Sequence, residues 1–236
     1  MVALTAQRVL SVWEHGLRRH PIDRALLLYA LADPDLPSGQ LADAPLGDRN
    51  AALLRWRQAC FGTRLEAWLD CPACGERMEF EIDASQWPSP PTDGSDTLEV
   101  RGHRFQRPTS RHLARLTECD DEQAAARRLL LECAVAADAL PRDEPALAEL
   151  LEAVDVAMDA ADPWADLSLA MRCPACGHDD DASFDIAGYL WEEIDSQARR
   201  LLDDIHALAQ AYGWTEPVIL ALSETRRAAY LARVQP

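Results

Sequence analysis

Lysine is missing altogether: the chain carries 23 basic residues, and every one is arginine. That absence excludes a phosphate-loop lysine and a Schiff-base lysine. Glycine is sparse, with 10 in 236 residues, and none of it falls into a dinucleotide-binding or phosphate-loop pattern. No His-Glu-x-x-His and no Gly-x-Ser-x-Gly occurs, and none of the 6 histidines has glutamate at its +2 position, so zincin, nucleophile-elbow and zinc-deaminase chemistry lose their signatures. No apolar run approaches the roughly 20 residues that span a bilayer. The opening Met1-Val-Ala-Leu-Thr-Ala-Gln-Arg-Val-Leu10 has neither the basic start nor the long apolar stretch of a secretory signal. The expectation is a cytoplasmic protein in a reducing compartment, with no membrane partner.

What is abundant is acid. The formal net charge is −17, and residues 140–186 hold 12 acids against 2 bases. A field of this sign repels a phosphate backbone and argues against a general nucleic-acid binder. It leaves two readings open, solubility alone or an acidic docking face at 143–166. Hydrophobic residues make up 48% of the chain, enough to bury one sizeable core or two smaller ones.

Four of the 7 cysteines stand in two copies of one pentapeptide, Cys71-Pro-Ala-Cys74-Gly75 and Cys173-Pro-Ala-Cys176-Gly177. Each is a tight turn that aims two thiolates at one point, with proline stiffening the turn and glycine letting the chain curl back. Two such turns supply the four soft ligands of a tetrahedral zinc ion, so Cys71, Cys74, Cys173 and Cys176 are the candidate metal ligands. Cys60, Cys119 and Cys133 are read as buried thiols, because a reducing compartment disfavours disulfides. Four thiolates close the zinc shell, which marks a structural rather than a catalytic site. His178 is the nearest other ligand and is placed at the rim or hydrogen-bonded to a sulfur. A thioredoxin-like oxidoreductase needs one Cys-x-x-Cys on a strand–helix, not two on hairpins. His206 with Asp203, one helical turn away, is more simply a surface pair than an acid–base couple.

The periodicities predict an α+β fold, mainly helical, with a small split four-cysteine zinc ribbon and a C-terminal helical hairpin. Residues 1–64 read as three helices. The first carries Leu4, Val9, Leu10, Trp13 and Leu17; the second opens at His20-Pro21; the third is capped by Asp48, buries Ala52, Leu53, Trp56 and Cys60, and closes at Gly62. Residues 65–86 alternate with period 2 around the first knuckle. Residues 163–187 repeat that order, with Leu167–Met171 and Ser183–Ile186 as strands, and pairing the two units predicts a ribbon of about four strands. Between them, residues 86–96 read as a Pro/Ser/Asp/Gly linker. The 97–162 insert holds a strand from Leu98 to Arg107, a short helix capped by Ser110, a longer one capped by Asp120 or Asp121, and a helix beginning near Pro145. That last helix has Leu147, Leu150, Leu151, Val154 and Met158 on one side. In 188–236, Leu190, Ile194, Ala198, Leu201, Leu202, Ile205, Leu208, Ala209 and Tyr212 form one stripe. It either packs on the chain's own core or offers a docking face.

Several segments resemble one family: Leu46-Gly-Asp-Arg49 through Phe61-Gly62, Leu65 to Phe80, Arg107-Pro-Thr109, and Asp162-Pro-Trp-Ala-Asp-Leu-Ser-Leu before the second knuckle. The closing stretch from Phe184 through Ile205-His-Ala-Leu-Ala209, Tyr212-Gly-Trp-Thr-Glu216 and Arg226-Arg-Ala-Ala-Tyr-Leu231 is the most specific. The chain is similar to proteins of contractile phage tails and contractile injection systems, and its end to T-even-type baseplate hub assembly proteins. The resemblance implies a non-enzymatic structural or assembly component with one structural zinc ion on the four cysteines, baseplate or hub proteins as partners, and incorporation into a tail-like particle. Asp179-Asp-Asp181 departs from it, standing where such proteins often carry an aromatic after the second knuckle. The rivals are a nucleic-acid-associated zinc ribbon, which the acidic hairpins disfavour, and a metalloenzyme, which needs an open coordination position.

Overall fold

The computed structural model describes residues 1–87, 95–117, 119 and 121–234. Three helices open the chain: α1 (Ala6–Gly16), α2 (Pro21–Ala32) and α3 (Leu46–Phe61). Thr5 caps α1 with its hydroxyl on the Arg8 amide, and His20 caps α2 through its imidazole on the Ile22 amide, with Pro21 in the first turn. The cap of α3 is Pro45, not Asp48; the chain arrives extended at φ −54, ψ 144, so helical geometry begins at Leu46 and Asp48 lies inside the first turn. There its carboxylate faces the positive end of the helix dipole. Gly62 ends α3 at φ 88, a conformation that a side chain resists.

α3 is the central helix. It buries Ala51, Ala52, Leu53, Leu54 and Trp56, and also Arg49, Asn50 and Arg57. Buried polar side chains must find partners, and these three find theirs in distant parts of the chain. Arg49 donates to Ser110 Oγ (2.9 Å), Asn50 to the carbonyls of Trp164 and Ala165 (2.9 and 3.2 Å), and Arg57 to both oxygens of Glu193 (3.0 and 2.6 Å).

The partner helix is α7 (Ile186–Tyr212), which buries Ile186, Ala187, Leu190, Trp191, Ile194, Ala198, Leu201 and Leu208. Its apolar stripe packs on α1, α2 and α3 in one core cluster, so the chain itself covers most of that stripe; Leu202 and Tyr212 stay exposed. Gly16 of α1 sits so close to the Trp191 ring that a Cβ would lie 2.3 Å from it. Trp13 Nε1 donates to Asp195 Oδ1 at 2.6 Å, and Asp195 also holds Arg199 at 2.7 Å. After Gly213, in the left-handed region at φ 65, α8 (Glu216–Leu220) and α9 (Glu224–Val234) fold back on α7 as a helical hairpin. Tyr212 and Trp214 stack there with Tyr230 edge-on to both, and Arg227 donates to Asp204 at 2.9 Å.

The insert has its own core of Val100, Phe105, Cys133, Leu150, Val154 and Met158. The single strand expected at Leu98–Arg107 is a hairpin of two, β3 (Thr97–Val100) and β4 (His103–Gln106). Arg101 and Gly102 both take positive φ, 50 and 81, which is the two-residue turn whose twist suits a hairpin. The short α4 (Ser110–Ala114) is capped by Thr109, whose hydroxyl reaches the His112 amide, and not by Ser110. Asp121 caps α5 (Glu122–Glu132); Asp120 lies outside the described residues, as do 88–94 of the expected linker. Asp143 caps α6 (Glu144–Ala161), which buries Leu150, Leu151, Val154 and Met158 and leaves Leu147 half-buried.

Besides the Arg49–Ser110 bond, a charged cluster clamps the insert to α3. Arg107 reaches Asp48 (3.3 Å), Asp96 (3.2 Å) and Asp162 (3.8 Å), while Asp162 accepts from the Gly47 amide at 3.2 Å. A Cβ on Gly47 would fall 1.6 Å from Asp162 Oδ1, so only glycine allows this approach.

Candidate metal centre

The first hairpin pairs β1 (Arg64–Asp70) with β2 (Arg77–Asp83) antiparallel, and the second pairs β5 (Ser168–Arg172) with β6 (Asp179–Ser183). They form two separate two-stranded sheets, not the single ribbon of about four strands. Their edges do not meet; the junction is made by sulfur. The strand expected at Ser183–Ile186 lies earlier, over the aspartates, because the knuckle sets its register. Cys173 N–H donates to His178 O (2.8 Å), Gly177 N–H to Cys173 O (2.9 Å), and the ladder starts at the next residue. Asp185 caps α7 instead, accepting from the Ala187 amide at 3.0 Å.

Both knuckles repeat one backbone pattern. Cys71 N–H donates to Glu76 O and Gly75 N–H to Cys71 O, each at 2.8 Å. Gly75 and Gly177 take φ 75 and 74, where side chains are disfavoured. The four expected ligands come together, their sulfurs all within 4.8 Å of one another. Cys71 Sγ lies 3.8 Å from Cys176 Sγ, and Cys74 Sγ lies 3.7 Å from Cys173 Sγ. A tetrahedron with metal–sulfur bonds of about 2.3 Å has edges of about 3.8 Å, so these spacings fit a four-sulfur zinc site. A disulfide would bring sulfurs to about 2.05 Å; all seven cysteines are free.

The centre is buried on one side and wet on the other. Cys71 and Cys173 are buried with Met78 against Leu69 and Met171, while Cys74 and Cys176 are exposed. The amides of Cys176 and Ala175 bond to the Cys173 sulfur, and chiefly the first of these brings its thiol down to about 6. At Cys74 the Glu76 amide pulls the same way, but the neighbouring sulfurs, that of Cys176 foremost, and burial together push the thiol up to about 12. The His178 amide bonds to the Cys176 sulfur, yet the crowding of burial and the Cys173 and Cys71 sulfurs raises that thiol as well. Four crowded thiolates need a cation to coexist. His178 therefore contributes backbone, and its imidazole is exposed.

What brings the hairpins into register is an aromatic base that reading for ligands alone passes over. Trp87 follows β2, Trp164 precedes β5, Phe184 follows β6, and Tyr189 lies on α7. Trp87 meets Trp164 edge-on at 6.0 Å and Phe184 at 5.5 Å, and Phe184 meets Tyr189 at 5.5 Å. The Tyr189 hydroxyl accepts from the Glu66 amide (3.1 Å) and donates to the Glu66 carbonyl (3.0 Å), holding β1. The only sequence signal was the aromatic residue beside each hairpin stem.

The remaining candidates stay apart. Cys133 is wholly buried 3.6 Å from His112 Nδ1, and burial pushes its thiol up to about 12, which marks an inert side chain. Cys60 and Cys119 are half-buried. His206 and Asp203 are both exposed, with no hydrogen bond between them among the described residues. No helix of the described residues is long and apolar enough to cross a membrane.

No family model, no curated protein and no solved structure matches this chain.

Proposed function

We propose that the protein is a non-enzymatic structural or assembly component of a contractile phage-tail-like particle or injection-system baseplate, pinned by one structural zinc ion. The observation that carries the structural part is the convergence of four sulfurs from knuckles that 98 residues separate. Four thiolates complete a tetrahedron and leave no position for a substrate or an activated water. The ion's work is mechanical: it ties the ends of two hairpins whose stems meet at the aromatic base, and so fixes α7 and the insert as a rigid surface.

The assignment to a contractile tail rests on the sequence resemblance, strongest over Phe184–Leu231. The part of that stretch least committed to the core is the α8–α9 return, where only Ile219 and Arg227 are buried; together with the acidic 143–166 face it is our choice for partner contact. Removing everything after Gly188 takes away the α7 core, so the informative truncation follows Gly213. The tagged full-length chain, co-expressed with the tube, sheath and baseplate genes of a contractile-tail cluster, is expected to retain baseplate or hub proteins, and the 1–213 chain to lose them. Retrieval of none of these proteins by the full-length chain, or equal retrieval by both, overturns the proposal. So does nucleic-acid binding with a steep salt dependence.

A further inference from the structure

The outer face of the first hairpin is built unlike a solvated surface. Its inner face pairs Leu65 with Ile82, Ala67 with Phe80 and Leu69 with Met78. On the outer face Trp68 stands opposite Glu79, and Glu66 opposite Glu81. The bonds that flank the ladder, Ala84 N–H to Thr63 O and Cys71 N–H to Glu76 O, put the hydrogen-bonded pairs on odd positions of β1. Glu66 and Trp68 therefore occupy non-hydrogen-bonded pairs, where side chains come closest. Like charges so placed destabilise a sheet; Arg64, 3.1 Å from Glu81, offsets this only in part. Trp68 is 59% exposed, the most exposed aromatic side chain among the described residues. Its ring already carries one guanidinium: Arg77, held by Asp70 at 2.9 Å, stacks 4.0 Å from the ring centroid.

We infer that this face, Trp68 framed by Glu66, Glu79 and Glu81, docks an arginine- or lysine-bearing segment of a protein partner. Charge complementarity selects the occupant. A second cation laid on the other face of the indole meets a negative π cloud and the carboxylates of Glu66 and Glu79, which make no ion pair among the described residues, Glu81 being held by Arg64; the Arg77 stack shows that this ring accepts a guanidinium. Parity also turns the Trp68 N–H and C=O away from β2, toward an edge with no further strand among the described residues, so an extended segment finds main-chain partners beside the ring. The inference rests on the reading of the protein as an interaction component, but not on which particle it serves.

The probe is a blocked Val-Arg-Val-Arg-Val peptide titrated into the metal-loaded full chain at physiological salt, followed by calorimetry and by the indole N–H resonance of Trp68. Binding is expected to shift that resonance. Trp68→Ala should weaken binding about tenfold, with metal content and melting midpoint unchanged, and Trp68→Phe should keep part of the affinity. Glu79→Gln/Glu81→Gln should weaken it several-fold. The charge-matched change Glu14→Gln/Asp23→Asn, at exposed positions of α1 and α2, should leave it within about twofold, whereas attraction by a diffuse acidic field would weaken equally with either pair. No binding, binding indifferent to Trp68→Ala, or equal weakening by the Glu14/Asp23 pair overturns the inference. None of these results depends on whether baseplate proteins co-purify.

Discussion

Cys74 is exposed, and substitutions at exposed positions ordinarily shift stability by no more than about 0.5 kcal/mol. Cys74→Ser should break that rule. A structural zinc contributes about 10–16 kcal/mol, so one sulfur of four accounts for roughly 3 kcal/mol, or about two orders of magnitude in metal affinity. The loss should spread across the molecule. Each hairpin is an isolated two-stranded sheet, marginal by itself, and only Cys71, Met78 and Cys173 are buried in their shared cluster. Chelator competition should show the drop in affinity. Hydrogen exchange should show lost protection in β5–β6, the hairpin that carries no mutation, as well as in β1–β2, with α3 and α7 unaffected. Cys133→Ser provides the inverse contrast: it is wholly buried but far from the sulfur cluster, so it should destabilise the insert by about 1–3 kcal/mol and leave metal binding intact. If Cys74→Ser binds zinc as the wild type does, or unprotects its own hairpin alone, the shared-ion reasoning is wrong.

Three more outcomes follow from the same contacts. Gly47→Ala places a methyl group 1.6 Å from Asp162 Oδ1, and denaturant unfolding should show a loss of about 2–4 kcal/mol; a change under about 0.5 kcal/mol contradicts the packing. Tyr189→Phe removes both hydrogen bonds to Glu66 and should cost about 1–2 kcal/mol, seen as faster exchange at the Glu66 amide with zinc content unchanged. The Asp195 carboxyl is held below the usual carboxylate range by the Arg199 guanidinium, then by Trp13, against burial. Its contribution is complete above the unfolded value near 3.8 and is lost as pH falls through the lowered folded one. The stability difference between wild type and Asp195→Asn should therefore be constant from pH 7 to 5 and shrink below 4; zinc release is common to both proteins and cancels. A difference that grows on acidification refutes the assignment.

The four-cysteine cluster was legible because its geometry is local: a Cys-x-x-Cys-Gly turn aims both sulfurs without help from the rest of the fold. Helix starts were legible for the same reason, at His20-Pro21 and at the Asp120-Asp121 pair, of which Asp121 is the cap, as was the stop at Gly213. The misses lie where neighbours several residues away decide. Arg101-Gly102 was hidden inside an otherwise continuous strand pattern, although two adjacent positive φ values make it a turn. Asp179–Asp181 are poor strand formers, yet the knuckle's hydrogen bonds impose the ladder. Asp48 and Ser110 look like caps by composition, but the extended backbone at Pro45 and Thr109 moves the helix starts. Arg49, Asn50 and Arg57 follow no apolar period, since each is buried to reach a partner over 50 residues away. The aromatic base needed the fold itself, because its rings come from the flanks of two hairpins and from α7.

The central claim is one cation gripped by both knuckles. X-ray absorption on the purified protein, with elemental analysis on the same sample, tests it directly. The account predicts one zinc per chain with four sulfur neighbours at about 2.3 Å. A nitrogen or oxygen neighbour in place of a sulfur, or a metal-free protein whose hairpins stay protected in chelator, would contradict it.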